Sequence, residues 1–502
     1  MTIGRVLIAN RGEIALRVIR ACRERRISTV AIYSDADAGA AHVMAADAAV
    51  RVGPAPAGES YLSIPAVIEA ALGAGADAVH PGYGFLSENA AFARACETAG
   101  LIFIGPPGDV IERMGSKIGA RALMEAAGVP VVPGRTPRDQ TDAGLLTAIQ
   151  VIGYPALVKA SAGGGGKGMR VIRDEAGAAD AIAAARREAA SAFGDGTLYV
   201  ERLIERPRHV EIQIFADGHG NVVHLFEREC SLQRRHQKVI EESPSPALTP
   251  ALRDAMGQAA VAAARAAGYR NAGTIEFLLH GAGGRSEFYF LEMNTRLQVE
   301  HPVTEAVAGV DLVHAQLEVA AGGALPWTQD QLVQRGHALE LRVYAEDPRA
   351  GFLPQAGPLL VYREPQAPGV RVDAGVREGD VVPVHYDPLL AKVIAHAATR
   401  EAAIDRARAA LREFPVLGIP TNIPFLLRIL DHPSFRAGDL HTGFIEEHLD
   451  ALLDAPPPPP EAVAAAASAA RNGTDRAEGS PPDAADPWTA MARWGRPGET
   501  PR

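Results

Sequence analysis

Glu276 and Glu292 form the first pair whose spacing suggests chemistry. Residues 274–279 and 287–294 read as strands, joined by Gly281-Ala-Gly-Gly284. A hairpin centred on residue 284 sets Glu276 opposite Glu292 on one face, and Asn294, two residues on, shares that face. Two carboxylates and an amide oxygen are hard ligands suited to a Mg²⁺ ion that bridges nucleotide phosphates. Strand glutamates are usually a solvated face, but Phe277, Leu278, Phe290 and Leu291 make this stretch otherwise apolar. The period-2 pattern continues through Arg296, Gln298 and Glu300 until His301-Pro302 ends it. If extended, these polar groups would line one face over roughly 26 Å. Arg296 could then bind an anion and Glu300 act as a base. An exposed amphipathic strand is the alternative, against which Leu297 and Val299 on the other face suggest a cavity wall.

The second candidate is Ser161-Ala-Gly-Gly-Gly-Gly-Lys-Gly-Met169. Gly163, Gly165 and Gly168 satisfy G-x-G-x-x-G, but a strand rather than a helix follows, which argues against a dinucleotide fingerprint. A Walker A loop fails as well, because Ser161 stands where its first glycine belongs and Gly168 follows the lysine. What remains is a glycine-rich hairpin whose backbone N–H groups and Lys167 can fold over a phosphate chain. A merely flexible loop is the competing reading, although four successive glycines are costly in backbone entropy.

A third stretch, Glu229-Cys-Ser-Leu-Gln-Arg-Arg-His-Gln-Lys238, puts four cationic or protonatable groups within five residues. By itself it reads as a solvated surface turn. Arg342, in Glu340-Leu-Arg-Val-Tyr344, reads equally well as part of an edge strand. A count sharpens the choice of residues. Lysine occurs only at 117, 159, 167, 238 and 392, so 45 of the 50 basic residues are arginine. Lysines that survive such a bias are enriched where a compact point charge is needed, as against a phosphate.

The elements that must position these groups follow from hydrophobic periodicity. Residues 4–10, 29–33, 77–80 and 101–104 read as short buried strands, and 12–25 shows helical spacing at Ile14, Val18, Ile19 and Cys22. Strands alternating with helices predict a parallel, doubly wound sheet over 1–113. A helix near 116–127 leads into a β-rich stretch with strands at 156–159, 169–172, 198–201, 209–215 and 222–227. Beyond 335, strands around 338–345 and 392–396 precede an amphipathic helix at 401–413. From about 454 the chain becomes Pro- and Ala-rich, as a linker would.

Composition excludes whole classes. At 502 residues, 47% hydrophobic and 22% charged, the chain is globular, with about three domains expected, and is neither fibrous nor membrane-embedded. Fifty basic against sixty acidic residues, a net charge of -10, opposes nucleic-acid binding. Three cysteines with no C-x-x-C pair argue against a disulfide framework or zinc ribbon. Without a signal-like or 18-residue apolar segment, a cytoplasmic location is expected.

Taken together, these stretches resemble the biotin carboxylase family of the ATP-grasp superfamily over about residues 3–446. The motifs are Ile8-Ala-Asn-Arg-Gly-Glu-Ile14, His80-Pro-Gly-Tyr-Gly-Phe-Leu-Ser-Glu88, the glycine loop, Arg234-Arg-His-Gln-Lys238 and Glu292-Met-Asn-Thr-Arg-Leu-Gln-Val-Glu-His-Pro-Val-Thr-Glu305. Tyr344-Ala-Glu-Asp-Pro348 and Tyr386-Asp-Pro388 add to them. The resemblance implies an α/β chain, α+β in its ATP-grasp part. Its expected domains are a Rossmann-like one at 1–113, an ATP-grasp domain at 114–334 with a mobile glycine-rich lid at about 131–203, a mixed α/β domain at 335–447, and a disordered tail at 448–502.

The resemblance further implies that ATP phosphorylates bicarbonate to carboxyphosphate and that the released CO₂ is captured by biotin. Lys117, Lys159, His209, Gln233 and His236 match nucleotide-binding positions, Glu201 and Leu203 the adenine-side hinge, and Gly165, Gly166 and Lys167 the lid. Glu276, Glu292 and Asn294 match ligands of Mg²⁺ or Mn²⁺. Lys238, Arg296, Gln298, Val299 and Glu300 match the bicarbonate site, with Glu300 as base, and Arg342 matches the residue that stabilises the biotin enolate. No lysine follows Lys392 and Ala490-Met491-Ala492 is not a biotinylation motif, so biotin is expected on a separate carrier protein or domain. A carboxyltransferase β subunit and a homo-oligomer are expected partners, with no nucleic acid and no membrane. His441-Thr-Gly-Phe-Ile445, Asp486-Pro-Trp488 and Trp494 resemble α subunits of methylcrotonyl- or propionyl-CoA carboxylases. A natural short subunit and a truncated α subunit both remain open, as does the acyl-CoA acceptor. The competing readings are a carbamoyl-phosphate-type ATP-grasp ligase, expected to lack Arg234–Lys238 together with Arg296–Glu300, and an inactive carboxylase scaffold, which loss of Lys238, Glu300 or Arg342 would favour.

Overall fold

A computed structural model describes residues 2–161, 169–281 and 286–454. Five strands open the chain: β1 (Arg5–Ile8), β2 (Ser28–Ser34), β3 (Ala48–Gly53), β4 (Ala78–His80) and β5 (Ile102–Phe103). They form a parallel sheet in the order β3-β2-β1-β4-β5. Val6, Leu7 and Ile8 are fully buried, as a strand covered on both faces requires. The helix Gly12–Glu24 buries Ile14, Val18, Ile19 and Cys22. The doubly wound parallel sheet is therefore as expected. Periodicity did not reveal β3, an edge strand whose first residues are exposed Ala, or the Ala-rich helix Ile64–Gly73.

Two antiparallel sheets follow. The smaller has β6 (Gly134–Arg135), β7 (Ala156–Ala160), β8 (Arg170–Ile172) and β9 (Leu198–Arg202) in the order β6-β9-β7-β8. Val158, Ile172, Leu198 and Val200 pack there against Leu145, Ile149 and Ile182 in a separate core. The larger sheet contains β10 (Arg208–Ala216), β11 (Val222–Arg234), β12 (Gln237–Ser243), β13 (Asn271–His280), β14 (Glu287–Asn294) and β15 (His337–Tyr344). Strands Leu389–Ala397 and Val370–Ala374 extend it, giving the order β14-β13-β10-β11-β12-β15, then Leu389–Ala397 and Val370–Ala374. One sheet thus runs through strands from either side of residue 334.

The helix Pro250–Ala267 covers one face of this sheet. Its Thr249 cap accepts from Leu252 N–H, proline stands in the first turn, and left-handed Gly268 ends it. Met256, Ala260 and Ala264 pack on Val210, Ile212, Ile275 and Phe277. On the opposite face, His209, Glu211 and Gln213 of β10 and Thr274 and Glu276 of β13 are polar. They build the site.

Candidate active site

Strand register creates a polar row. Glu292 lies opposite Glu276, Glu276 opposite Glu211, and Glu211 opposite Arg228. The first pairing is the one hairpin spacing predicts, and Asn294 stands opposite Thr274. Arg228 is fully buried and satisfies all five of its N–H donors. Nε donates to Glu211 at 2.5 Å, one terminal nitrogen to Gln213 and Thr304 at 2.7 and 2.9 Å, and the other to Thr274 and Gln298 at 3.0 and 2.7 Å.

Within Arg234–Lys238 the turn residues Arg235 and His236 are exposed, as a surface turn predicts, whereas Arg234 and Lys238 turn inward. β11 and β12 form a hairpin whose two turn residues, Arg235 and His236, have φ of 48° and 67°, as tight hairpin turns require. Arg234 pairs with Glu346 at 3.2 Å and lies over the Phe352 ring. Lys238 points along the sheet face, where its ammonium donates to Glu211, Glu276 and Glu300 at 2.5, 3.0 and 2.6 Å.

The expected 26 Å polar run is also corrected. β14 stops at Asn294, the chain bends through 295–299, and Glu300 caps the helix His301–Ala308, where Pro302 fixes the first turn. Gln298 donates to Glu276 at 3.0 Å. Arg296 donates to Glu88 and to the Asn294 amide oxygen, both at 2.9 Å. The bend brings Glu300 back over the sheet, against Lys238 and 2.9 Å from Arg342. Arg342 lies on no edge: β15 is interior, between β12 and Leu389–Ala397. Its Nε donates to Glu241 at 2.6 Å, and Asn422 holds its carbonyl at 2.9 Å.

Electrostatics divide these carboxylates. Burial opposes ionising Glu300, but Lys238, Arg342 and Arg228 outweigh it and hold its carboxyl well below the usual range. Burial opposes Glu276 too, and Lys238 with His209 likewise holds it well below. Glu241 shares Arg342, yet burial pushes it up to about 7. Glu292 is raised by burial and then by Glu276. A divalent cation between Glu276 and Glu292 would relieve that repulsion. Asn294, whose amide oxygen accepts from Arg296, stands beside them, and two carboxylates with an amide oxygen are the oxygen donors a hard cation takes.

Of the residues expected to bind nucleotide, Lys159 and Glu201 lie on the smaller sheet, Lys117 and Leu203 near it, and His209 on the larger one. Lys159 on β7 meets Glu201 on β9 at 2.6 Å, and Arg121 meets the same carboxylate at 3.0 Å. Leu203 N–H donates to Pro155 O at 3.0 Å. His209 Nε2 lies 3.2 Å from Glu276, joining the two groups. Lys117 opens the helix Lys117–Ala126, and burial lowers its ammonium despite attraction from Glu292.

Lys117, Lys159, Glu201, Leu203, His209, Lys238, Glu276, Glu292, Asn294, Arg296, Gln298, Glu300 and Arg342, with Gln233, His236 and Val299, line one cavity of about 1260 Å³. Gly165, Gly166 and Lys167 lie outside the described residues, as does most of the tail. Sequence reasoning missed Glu211, Arg228, Glu241 and Glu88 as functional candidates. Glu211 had a usable signal: His209, Glu211 and Gln213 alternate with Val210, Ile212 and Ile214. Glu88 was visible only as the end of a motif. Arg228 and Glu241 had no local signal, since their partners lie on other strands.

Comparison with known proteins gives three matches in succession. Residues 2–111 match the family described as biotin carboxylase, N-terminal domain, and 340–447 the biotin carboxylase C-terminal domain. Residues 116–328 match the carbamoyl-phosphate synthase L chain, ATP binding domain. The mitochondrial methylcrotonoyl-CoA carboxylase subunit alpha of Mus musculus is 50% identical over 90% of this chain, which spans 63% of that subunit's length. A biotin carboxylase of Halalkalibacterium halodurans is 52% identical over 89% of this chain and 98% of its own. Among solved structures, the biotin carboxylase domain dimer of Hydrogenobacter thermophilus 2-oxoglutarate carboxylase, in complex with MgADP, ADP and bicarbonate, superimposes with a TM-score of 0.86. It is 45% identical, over 91% of this chain and 100% of that one.

Proposed function

The chain belongs to the biotin carboxylase family, and from that premise we propose that it uses ATP to carboxylate biotin with bicarbonate, through carboxyphosphate. The observation that carries this reading is the meeting of Lys238 and Arg342 on the two oxygens of Glu300, within the cavity that also holds Glu276 and Glu292. Phosphoryl transfer requires positioning and charge neutralisation more than a protein nucleophile. Lys117, Lys159, His209, Gln233 and His236 bind the nucleotide, Glu201 and Leu203 hold its adenine side, and Gly165, Gly166 and Lys167 cover the phosphates. Glu276, Glu292 and Asn294 hold Mg²⁺ or Mn²⁺, which supplies charge neutralisation to the phosphates when bound.

Arg296, Gln298, Val299 and Lys238 hold bicarbonate, and Glu300 removes its proton. Alone, Glu300 is ionised but a weak base, because two cations share its charge. A bicarbonate anion beside Lys238 offsets those cations and raises the proton affinity of Glu300 toward what the step needs. Arg342 stabilises the biotin enolate. Carboxyphosphate hydrolyses readily, so the step requires water to be excluded from the site.

The proposal divides the chain into domains at 1–113, 114–334 and 335–447, with a linker tail at 448–502. It also includes a biotin carrier protein or domain, a carboxyltransferase β subunit and a homo-oligomer. The final acceptor is an acyl-CoA, by analogy with the subunits of which the chain spans about three fifths. No helix among the described residues is long and apolar enough to cross a membrane. The three cysteines are free and buried, which suits a reducing compartment, and the cytoplasm is the location proposed.

The test is ADP release from ATP, Mg²⁺ and bicarbonate, with and without free biotin. Biotin-stimulated, bicarbonate-dependent turnover should appear, and Glu300→Gln should lower it by about 10²–10⁴-fold. Bicarbonate-dependent ADP release that biotin leaves unchanged would favour the carbamoyl-phosphate-type ligase instead.

A further inference from the structure

Four of the five lysines fall on residues assigned above, and the fifth, Lys392, does not. It is fully buried on the strand Leu389–Ala397, with Arg342 opposite on one side and Asp373 on the other. Its Nζ donates to the carbonyl of Val299 at 2.7 Å and lies 3.3 Å from Glu13, in the first turn of the helix Gly12–Glu24.

The Val299 carbonyl and the Glu300 N–H belong to one planar peptide unit. A bond to that oxygen therefore fixes the plane from which Glu300 departs. The segment 295–299 has no strand partner; Glu88 holds Thr295 and Arg296, His301 holds the Gln298 carbonyl, and the Gln298 side chain bonds Arg228 and Glu276, none of which reaches the Val299 carbonyl. A slender ammonium stem reaches a single carbonyl inside a closed core. A planar guanidinium is broader and carries five donors. That difference accounts for a lysine surviving here in a chain whose basic residues are otherwise almost all arginine.

We propose that Lys392 is a positioning residue for the bicarbonate step: by holding the Val299 carbonyl it aims Glu300 at the bound anion. The inference rests on the biotin carboxylation proposed above. The competing role is purely structural, with Lys392 neutralising Glu13 and Asp373 in the core.

Three variants separate the two roles, with wild-type protein assayed beside them for biotin-dependent ADP release. Lys392→Met should raise KM for bicarbonate about tenfold or more while KM for ATP changes by less than about twofold. Because that variant strands the Glu13 carboxylate and can fail to fold, Glu13→Gln/Lys392→Met removes both charges and should show the same selective rise. Glu13→Gln alone keeps the bond to Val299 and should leave KM for bicarbonate within about twofold of wild type. The inference is overturned if the double variant folds with an unchanged bicarbonate KM, if ATP and bicarbonate KM rise together, or if Glu13→Gln alone reproduces the effect. An inactive wild-type protein would instead sink the carboxylase reading.

Discussion

The two halves of the cavity are built on opposite terms. On the proposed bicarbonate side, Lys238, Arg228 and Arg342 are held by buried carboxylates, and Arg228 by amide and hydroxyl oxygens as well. On the nucleotide side, Lys117 is lowered by burial, Glu292 is raised, and the buried Asn294 amide nitrogen lacks a partner. The first half resembles a set of preorganised dipoles, which cost little reorganisation during reaction. The second is completed by what binds. In the proposed reaction the large sheet positions the chemistry, and nucleotide and cation would supply charge on the other side.

The contrast breaks if Arg228 proves dispensable. Arg228→Met leaves buried Glu211 with Lys238 and the more distant His209 and should cost about 3–5 kcal/mol of unfolding free energy, read by urea titration. Loss of under about 1 kcal/mol would show that the polar face is not held by its own network. On the nucleotide side, Lys159→Met removes one ammonium paired with Glu201. We expect an ATP KM about tenfold higher with bicarbonate KM nearly unchanged.

A smaller effect sharpens the comparison inside the reaction half, where Glu300 and Glu241 share Arg342 but shift in opposite directions. The depressed Glu300 contributes stability that is complete above its unfolded pKa and lost as pH falls through its folded one. Its contribution is therefore flat from about pH 6 to 8 and shrinks below about pH 4. Glu241, raised to about 7, holds a proton in the folded state that the unfolded state has released, so its contribution declines as pH rises from the ordinary carboxylate range up to about 7. Thermal midpoints of wild type and Glu241→Gln should diverge in favour of the variant between about pH 5 and 7 and run parallel above that. For Glu300→Gln the offset from wild type should stay constant from about pH 6 to 8.

Local patterns revealed most of the parallel sheet and the Glu276–Glu292 pairing, because apolar runs and turn glycines are short-range signals. They failed where partners come from afar. Arg342 and Lys238 look like surface charges in sequence, and only the neighbouring strands bury them with Glu241, Glu276 and Glu300. Alternation alone also cannot foresee that Pro302 starts a helix and folds Glu300 back on the sheet.

The most direct measurement follows labelled bicarbonate into free biotin in the presence of ATP and Mg²⁺, with ADP counted in parallel. Acid-labile label in biotin, matched by ADP formed and absent with Glu300→Gln, is the predicted result. ADP formed without label in biotin, or label that survives Glu300→Gln at the wild-type rate, would contradict a bicarbonate site centred on Lys238, Glu300 and Arg342.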